Sequence, residues 1–346
     1  MDVMKFRITL LVLVAFELLT PNASRAELII LAAPTTGDPY YEDVADSIFR
    51  FHLNFARQID NRDQVLVLTD AGSYDRYARA LGRRNVAKAS MLDIWMRDFG
   101  TANTTAPVMF RYTAATQGGG YKGQSDADAV QNRLVAYARR AGLEFRETDL
   151  LNDGGNFVDD GAGHAVVSRK FLRDNNLSES AGREALRELT GVRHVAFIES
   201  DEQGGLEHAD GVVSFIDDNT LVINSYPEDP EYLKSLKEDL RRGLPGVRIH
   251  EIITPYDGSN VLDDRFGSAC GLYTNALVTP HYIYLPQFGI PEDATALEQV
   301  RRHTRRTVIP VSSQDVCFMG GGVRCMSWQL RGKSAATLRA YHHDSN

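Results

Sequence analysis

Four stretches of the sequence concentrate side chains that could do chemistry, and the first two combine polar groups with conformational freedom. Residues 95–100 (WMRDFG) bring together an aromatic ring, a cation and a carboxylate at what we expect to be the end of a strand. Residues 152–156 (NDGGN) predict a turn whose glycines allow positive φ and close approach of the backbone to a ligand. Taken singly, a salt-bridged surface turn explains the first stretch and an ordinary loop explains the second.

The other two stretches contain a histidine and a cysteine. In residues 207–210 (EHAD), the alternation of an extended chain would point His208 and Asp210 to the same face. They could then act as an acid/base pair or form a hydrogen-bonded structural pair. In residues 320–325 (GGGVRC), three glycines precede Cys325, so the main chain can approach a bound group closely and aim the thiol into a pocket.

A cysteine, a histidine and two carboxylates form the set needed to open a guanidinium group. This cation is planar and delocalised, so two carboxylates can accept its N–H donors and hold its central carbon still. A thiolate can attack that carbon. A protonated histidine beside Cys325 would favour the thiolate, donate a proton to the leaving ammonia and then activate water. The sequence has no HExxH and no paired CxxC, so we expect no catalytic metal.

Short strand-like runs alternate with helix-period segments along the chain, which predicts an α/β fold. The strand-like runs occupy residues 28–31, 65–69, 108–112, 165–168, 194–198, 220–224, 247–253, 282–285 and 307–311. The helical segments carry apolar residues at i, i+3 and i+4 spacing and occupy residues 41–58, 126–141, 180–189, 230–242 and 294–303. No linker or composition shift divides the chain, so we predict one catalytic domain over residues 27–330.

Charge and motif content limit the classes of partner. The 346 residues include 46 acidic and 38 basic side chains, for a formal net charge of −8. This balance argues against a nucleic-acid partner, because phosphate backbones attract basic surfaces. The first strand is not followed by G-x-G-x-x-G and the P-loop pattern is absent, so nucleotide binding has no support. A small guanidine or an arginine-containing peptide is the expected substrate, and the oligomeric state stays open.

The N-terminus has the pattern of a secretory signal peptide. Lys5 and Arg7 precede an apolar stretch over residues 8–19, and residues 24–26 (SRA) supply small residues at the −3 and −1 positions of a cleavage site. The apolar run is shorter than the ~20 residues of a spanning helix; a retained anchor or a buried first helix are the alternatives. We predict that residues 1–26 are removed, that the mature protein is secreted or periplasmic without membrane contact, and that residues 331–346 form a frayed tail.

Three cysteines in an exported protein divide naturally into one bridge and one functional thiol. Cys270 and Cys317 are the candidate bridge, which leaves Cys325 as the free thiol. Two unpaired buried cysteines are an equally good alternative, because sequence spacing does not test bridge geometry.

Five motifs, in order along the chain, resemble the agmatine deiminase and Porphyromonas-type peptidylarginine deiminase family. They are WMRDFG (95–100), DGGNFVDDGAG (153–163), HADGVVSFIDDNTLVI (208–223), YTNALVTPHYIYLPQFG (273–289) and GGGVRC (320–325). The resemblance covers about residues 28–330. It implies the pentein fold, an α/β-propeller of five ββαβ-type units around a pseudo-fivefold axis, with the active site in the central channel and a reaction that needs no metal or cofactor.

The resemblance also implies roles for individual residues. Cys325 is expected to be the nucleophile, His208 the general acid/base, and Asp98 and Asp210 the carboxylates that bind the guanidinium. The implied cycle is attack by Cys325, loss of ammonia, a covalent thiouronium-type intermediate and hydrolysis to a ureido product. Further residues are expected to line the site around these four: Trp95, Arg97, Gly155, Asn156 and Asn275.

Departures from the family pattern bear on the substrate. Residues 110–121 resemble the agmatine deiminase segment that carries Asn-Ala-Trp-Gly-Gly, but they lack the tryptophan, and they lack the arginine pair with which the peptidyl enzyme holds a C-terminal carboxylate. Val323-Arg324 replaces the usual Ile-His, and Asp153 stands where glutamate is common. Arg324 or Arg111 could offer positive charge to a substrate carboxylate, or could only be salt-bridged.

These features lead to one predicted reaction with open substrate alternatives. The motifs PQFG and GGGxxC favour agmatine, whereas export favours free or peptide-borne arginine. We predict hydrolytic deimination, with conversion of agmatine to N-carbamoylputrescine slightly ahead of conversion of peptidyl-arginine to peptidyl-citrulline. An amidinotransferase, in which an amine rather than water resolves the intermediate, and a non-catalytic binding protein are further alternatives.

Overall fold

The computed structural model describes residues 27–201 and 205–343, so the predicted signal peptide lies outside the described residues. The strands are β1 (Leu28–Ala32), β2 (Gln64–Thr69), β3 (Val86–Lys88), β4 (Val108–Arg111), β5 (Arg146–Leu151), β6 (Val158–Asp159), β7 (His164–Ser168), β8 (His194–Ile198), β9 (Val213–Asp217), β10 (Thr220–Asn224), β11 (Arg248–Ile252), β12 (Leu277–Val278), β13 (Tyr282–Gln287), β14 (Thr307–Ser312) and β15 (Trp328–Leu330). The α-helices are α1 (Ala45–Ile59), α2 (Ala71–Leu81), α3 (Met96–Phe99), α4 (Gly120–Arg140), α5 (Lys170–Asp174), α6 (Glu179–Thr190), α7 (Pro230–Gly243), α8 (Glu292–His303) and α9 (Gly332–His343).

Within the described residues these strands form five separate sheets, and the same crossover recurs in each of them. A parallel strand pair is joined through at least one helix: β1 to β2, β4 to β5, β7 to β8, β10 to β11 and β13 to β14. In four sheets an antiparallel strand flanks the first strand of the crossover, namely β15, β6, β9 and β12. In the β4–β5 sheet, an antiparallel bridge between Ala102 and Val108 takes that place. The predicted α/β fold is confirmed.

Strand β1 illustrates how the sheets share the interior. All five of its residues are buried. Because successive side chains point to opposite faces, Ile29 and Leu31 enter one hydrophobic cluster, whereas Leu28, Ile30 and Ala32 enter another. A strand that is apolar on both faces is typical of a parallel sheet covered on both sides.

Two local expectations from the sequence are wrong. Residues 96–99 do not end a strand; they form the one-turn helix α3, whose Met96 and Phe99 are buried. The segment expected to be a frayed tail forms α9 up to His343, because Ala335 and Leu338 are buried in a hydrophobic cluster. The phenolic oxygen of Tyr137 lies 2.5 Å from Nε2 of His342 and links the end of α9 to α4.

The disulfide between Cys270 and Cys317 is formed, with a Cα–Cα distance of 4.8 Å, and Cys325 is the free buried cysteine. This confirms the bridge and rejects the alternative of unpaired cysteines. The bridge joins the long loop after β11 to the 3₁₀ turn Cys317–Met319, which precedes Cys325. Two backbone hydrogen bonds support the junction, from Ala269 N to Cys317 O (2.8 Å) and from Leu262 N to Phe318 O (2.9 Å). None of the described helices combines the length and hydropathy of a membrane span.

Candidate active site

The four residues expected to carry out the chemistry line one cavity of about 920 Å³, although they lie far apart in the chain. Asp98 belongs to α3, His208 and Asp210 lie at the 3₁₀ turn Ala209–Gly211, and Cys325 follows the glycine run. A backbone hydrogen bond from Arg97 N to Cys325 O, 3.0 Å long, ties two of these segments together. The structure therefore brings the predicted thiol, histidine and carboxylates together.

His208 lies between two carboxylates. Its Nε2 is 3.0 Å from Oδ2 of Asp153, and its Nδ1 is 3.7 Å from Oδ1 of Asp98. Asp153 is held in turn by the backbone N and the Oγ1 of Thr113, each at 2.9 Å. Burial alone would lower the pKa of His208, but the negative charges of Asp98 and Asp153 outweigh it and raise the pKa to about 10. The imidazole is therefore protonated at neutral pH and can donate a proton.

The Gly-rich turn Gly154–Asn156 packs against this pair. A Cβ on Gly155 would lie 2.5 Å from Nδ1 of His208 and 2.9 Å from Oδ1 of Asp98, so only glycine fits there. Asn156 does not face the cavity as expected, because its side chain is engaged inside the turn. It donates to Oδ1 of Asn152 (3.0 Å) and accepts from the backbone N of Ser168 (2.7 Å). Gly155 and Asn156 thus shape the turn rather than line the channel.

Asp98 and Asp210 are the two carboxylates at the floor of the cavity, 5% and 1% exposed. Burial raises the pKa of Asp98 to about 8, and the neighbouring His208 opposes that rise. Oδ1 of Asp98 has no hydrogen-bond partner among the described residues. Oδ2 of Asp210 accepts a hydrogen bond of 3.1 Å from Nε of Arg324. A planar cation with several N–H donors would satisfy both carboxylates at once.

Cys325 is buried beside these carboxylates. Burial, together with the charges of Asp210 and Asp98, raises the pKa of its thiol well above the ordinary value. Nδ2 of Asn275 lies 3.0 Å from Sγ and opposes that rise by donating a hydrogen bond. Asn275 therefore lies next to the cysteine, as expected. A cation bound between the two carboxylates would offset their negative charges and so favour formation of the thiolate.

Arg97 and Arg324 do not line this cavity, which corrects the expectation that they contact the substrate. Both line a second cavity of about 760 Å³, and both are buried. Arg97 donates from Nη2 to Oε1 of Gln329 at 2.6 Å. Trp95 does line the active-site cavity, and its indole packs so closely on Gly321 that a Cβ there would lie 2.4 Å from the ring.

Comparison with known proteins agrees with this geometry. A model of the Porphyromonas-type peptidyl-arginine deiminase family matches residues 19–330. The chain belongs to this family. A Mycoplasma capricolum protein named "Putative agmatine deiminase" is 23% identical over 322 residues, which cover 81% of this chain and 86% of that protein.

Superposition on two solved structures shows that this chain has the α/β pentein fold. The agmatine deiminase of C. jejuni superposes with a TM-score of 0.71 at 19% identity, over 91% of this chain and 95% of that one. The agmatine deiminase of Enterococcus faecalis gives a TM-score of 0.71 at 18% identity, over 90% of this chain and 94% of that one.

Sequence reasoning missed several residues of this deiminase's site. Asp153 was noted only as a departure from glutamate, yet it is the direct partner of His208. Asp93 lines the cavity and accepts from the hydroxyl of Tyr41 (2.7 Å), and Gln117 contributes a further wall residue. Asp93 lies outside the five family motifs, and Gln117 lies in the segment 110–121, where its residue type alone indicated no role. Across residues 27–201 and 205–343, no group of three or more His, Cys, Asp or Glu side chains could hold a metal ion.

Proposed function

We propose that this protein is a guanidine deiminase that hydrolyses agmatine to N-carbamoylputrescine and ammonia. The observation that carries the proposal is the lining of one cavity by two buried carboxylates, a histidine and a free buried thiol. Catalysis in the proposal belongs to Cys325, His208, Asp98 and Asp210, with Asp153 orienting the histidine. The names of the relatives support this reading, since the Mycoplasma, C. jejuni and E. faecalis proteins are all named for agmatine deimination.

The proposed cycle forms and breaks one bond to sulfur. Asp98 and Asp210 hold the guanidinium, the thiol of Cys325 gives up its proton to solvent, and the Sγ thiolate forms a bond to the central carbon. The C–N bond to one terminal nitrogen breaks, and that nitrogen leaves as ammonia after taking a proton from His208. Neutral His208 then accepts a proton from water as the water oxygen attacks the thiouronium carbon. The C–S bond breaks, the carbon keeps the oxygen as a ureido carbonyl, and the remaining hydroxyl proton passes to sulfur, which restores the thiol.

The charge distribution in the cavity favours a cationic substrate. Among the described residues that line it, seven are acidic and two, His208 and Arg265, are basic. Arg265 is engaged by Asp263, which accepts from Nε at 2.9 Å. Agmatine carries an ammonium group at the far end of its chain, which suits an acidic mouth, whereas a carboxylate there would be repelled.

Neither arginine that could have served a substrate carboxylate is available. Arg111 forms a bidentate pair with Asp128 (3.0 and 2.7 Å) and does not line the cavity, and Arg324 is paired with Asp210. These contacts favour agmatine over free arginine. Peptidyl-arginine remains the second candidate because the rim carries the exposed aromatic and aliphatic side chains of Tyr40, Leu92 and Tyr256, which suit a peptide.

Two wider features complete the proposal. We infer that the five crossover units surround a pseudo-fivefold axis as a propeller, because the same strand pairing recurs in each sheet. We also infer export to a periplasmic or extracellular location. The Cys270–Cys317 disulfide supports it, since disulfides persist mainly in oxidising compartments.

A parallel substrate panel tests the proposal. The chain from residue 27 is given agmatine, free arginine, and peptides with internal and C-terminal arginine, while ammonia and ureido products are measured. Agmatine is expected to have the highest kcat/KM. Peptide turnover above agmatine turnover would favour the protein-arginine deiminase reading, and amine-dependent turnover without ammonia would favour a transferase. No turnover of any guanidine by reduced, folded protein would contradict deimination.

A further inference from the structure

We propose that Arg324 is a positioning residue, which holds Asp210 from behind the active site so that one carboxylate oxygen faces the substrate guanidinium. This inference rests on the proposed function and deepens it. The sequence left open whether Arg324 contacts a substrate carboxylate or is only salt-bridged. Its contacts assign it a different task.

Consecutive residues face opposite cavities at two points of the site. Asp98 and Cys325 line the active-site cavity, whereas their neighbours Arg97 and Arg324 line the second cavity. The two arginines thus belong to the wall that separates the cavities. Arg324 is 9% exposed, and its side chain reaches the active site through its contact with Asp210.

Arg324 is fixed at both ends. Its Nε donates to Oδ2 of Asp210 at 3.1 Å, and its Nη2 donates to the carbonyl oxygen of Phe157 at 2.9 Å. Its backbone N lies 3.3 Å from Oδ1 of Asn275, the residue that also donates to Sγ of Cys325. Because the guanidinium fork is planar and rigid, two anchored nitrogens fix the orientation of the whole group.

This anchoring has a direct consequence for Asp210. Arg324 occupies Oδ2, so Oδ1 is the oxygen that can accept from a substrate guanidinium. Arg324 also sets a positive charge against the carboxylate, which matters because Asp98 and Asp210 are buried near each other and repel. Asp210 is therefore turned toward the cavity by a residue that does not touch the substrate.

Binding and turnover in matched variants test this role. Agmatine affinity is measured calorimetrically in a Cys325→Ala background, alone and with Arg324→Gln, Arg324→Lys or Arg306→Gln. The same three arginine variants with Cys325 intact give kcat and KM separately, and thermal midpoints are recorded for all. Arg306 is the control because it lines the second cavity and pairs with an aspartate, Asp217 at 3.2 Å, without contacting the active site.

Arg324→Gln is expected to weaken agmatine binding and kcat/KM by about 10- to 100-fold, because a misplaced carboxylate no longer fits the guanidinium. Arg324→Lys should fall between Arg324→Gln and the parent, since it keeps the charge but not the fork. Arg306→Gln should bind like the parent. Should Arg324→Gln not fold, Arg324→Lys decides, with a several-fold loss expected.

Parent-like agmatine affinity in a folded Arg324→Gln protein would overturn the positioning role. An equal loss of agmatine affinity in Arg306→Gln would also overturn it. If Arg324→Gln does not fold, parent-like agmatine affinity in Arg324→Lys would overturn it. These results leave the proposed function intact, because the parent still turns agmatine over. Absence of both agmatine binding and agmatine turnover in the otherwise unmodified protein would instead remove the proposed function, and the positioning role would fall with it.

Discussion

The protonation states of His208 and Asp98 determine the pH range in which the site can work. In the proposed mechanism, Asp98 must be ionised to bind a guanidinium, whereas His208 must be protonated to release ammonia. The buried Asp98 has a pKa raised to about 8, and the flanking carboxylates raise the pKa of His208 to about 10 against its burial. The active pair therefore exists on the alkaline side of neutrality.

We accordingly expect a bell-shaped dependence of agmatine kcat/KM on pH. It should rise as Asp98 loses its proton near pH 8 and fall as His208 loses its proton near pH 10. Initial rates at low agmatine concentration, from pH 5 to 11, measure both limbs. A profile already at its maximum at pH 5 would contradict the assignment of Asp98.

Asp153 supplies the charge that keeps His208 protonated, so Asp153→Asn should move the alkaline limb to lower pH. The asparagine can still fill the space but has no negative charge, so the pKa of His208 should fall. We expect kcat to fall by about 100-fold, the lower end of the range for general acid catalysis, because His208 itself remains. Asp128→Asn, which alters the pair with Arg111 away from the cavity, is the control and should keep the parent profile. An unchanged alkaline limb in Asp153→Asn would count against this role.

At the same scale, residue type and motif predicted four side chains that share the cavity but did not reveal the role of Asp153 or the contacts of Arg324. The chemistry of four side chains could be predicted from their residue types, namely Cys325, His208, Asp98 and Asp210. Arg324 could be placed either on the substrate or in a salt bridge, because a sequence does not record the direction of a side chain. Only the contact with Asp210 distinguishes the two.

Among the elements, the turn Gly154–Asn156 packs directly against two of the proposed catalytic side chains. Gly155→Ala would drive a methyl group into His208 and Asp98. We expect kcat/KM to fall by about 100-fold, because a shift near 1 Å in reacting groups has that effect. Steady-state kinetics and thermal unfolding measure the result.

A steric clash elsewhere provides the control for Gly155→Ala. In Gly182→Ala, within α6, the new Cβ would lie 2.4 Å from Cδ2 of Leu172 in a hydrophobic core away from the cavity. This variant should lose thermal stability and keep its kcat/KM. Equal catalytic losses in both variants would show that Gly155 acts through general stability rather than through the site.

The elements that the sequence predicted well are those whose apolar period is long and regular. All nine predicted strands and all five predicted helices are present, with ends displaced by a few residues. Strand β5 escaped prediction because its residues RETDLL are mostly polar and partly exposed. Helices α3 and α9 escaped because one is a single turn set by tertiary packing and the other has a weak apolar pattern in a charged terminus.

For the molecule as a whole, the disulfide is the covalent link between the loop at the cavity mouth and the segment that ends at Cys325. It closes a loop with a sequence separation of 47 residues. The chain-entropy model assigns such a bridge about 4 kcal/mol of free energy of unfolding. We expect Cys270→Ala/Cys317→Ala to lose up to that amount, as measured by urea denaturation of oxidised protein.

A reducing agent provides the internal control for this prediction. It should lower the unfolding free energy of the parent toward that of the double variant and leave the variant unchanged. Equal unfolding free energies of the parent and the double variant under oxidising conditions would contradict the stabilising role of the disulfide.

Convergence is the property of the whole molecule that sequence alone could not establish. Asp98 and Cys325 come from segments separated by most of the chain, and their meeting depends on the way separate sheets pack together. The family motifs implied this meeting by resemblance. The structure supplies the shared cavity on which the proposed mechanism rests.

Trapping of the covalent intermediate tests whether Cys325 is the nucleophile of the deimination reaction. The chain from residue 27 is mixed with agmatine, quenched in acid during turnover and measured by intact and peptide mass spectrometry. We predict an adduct equal to agmatine minus ammonia, located on Cys325, together with release of N-carbamoylputrescine; Cys325→Ala should show neither. Parent-like product formation by Cys325→Ala, or turnover with the adduct on another residue, would contradict it.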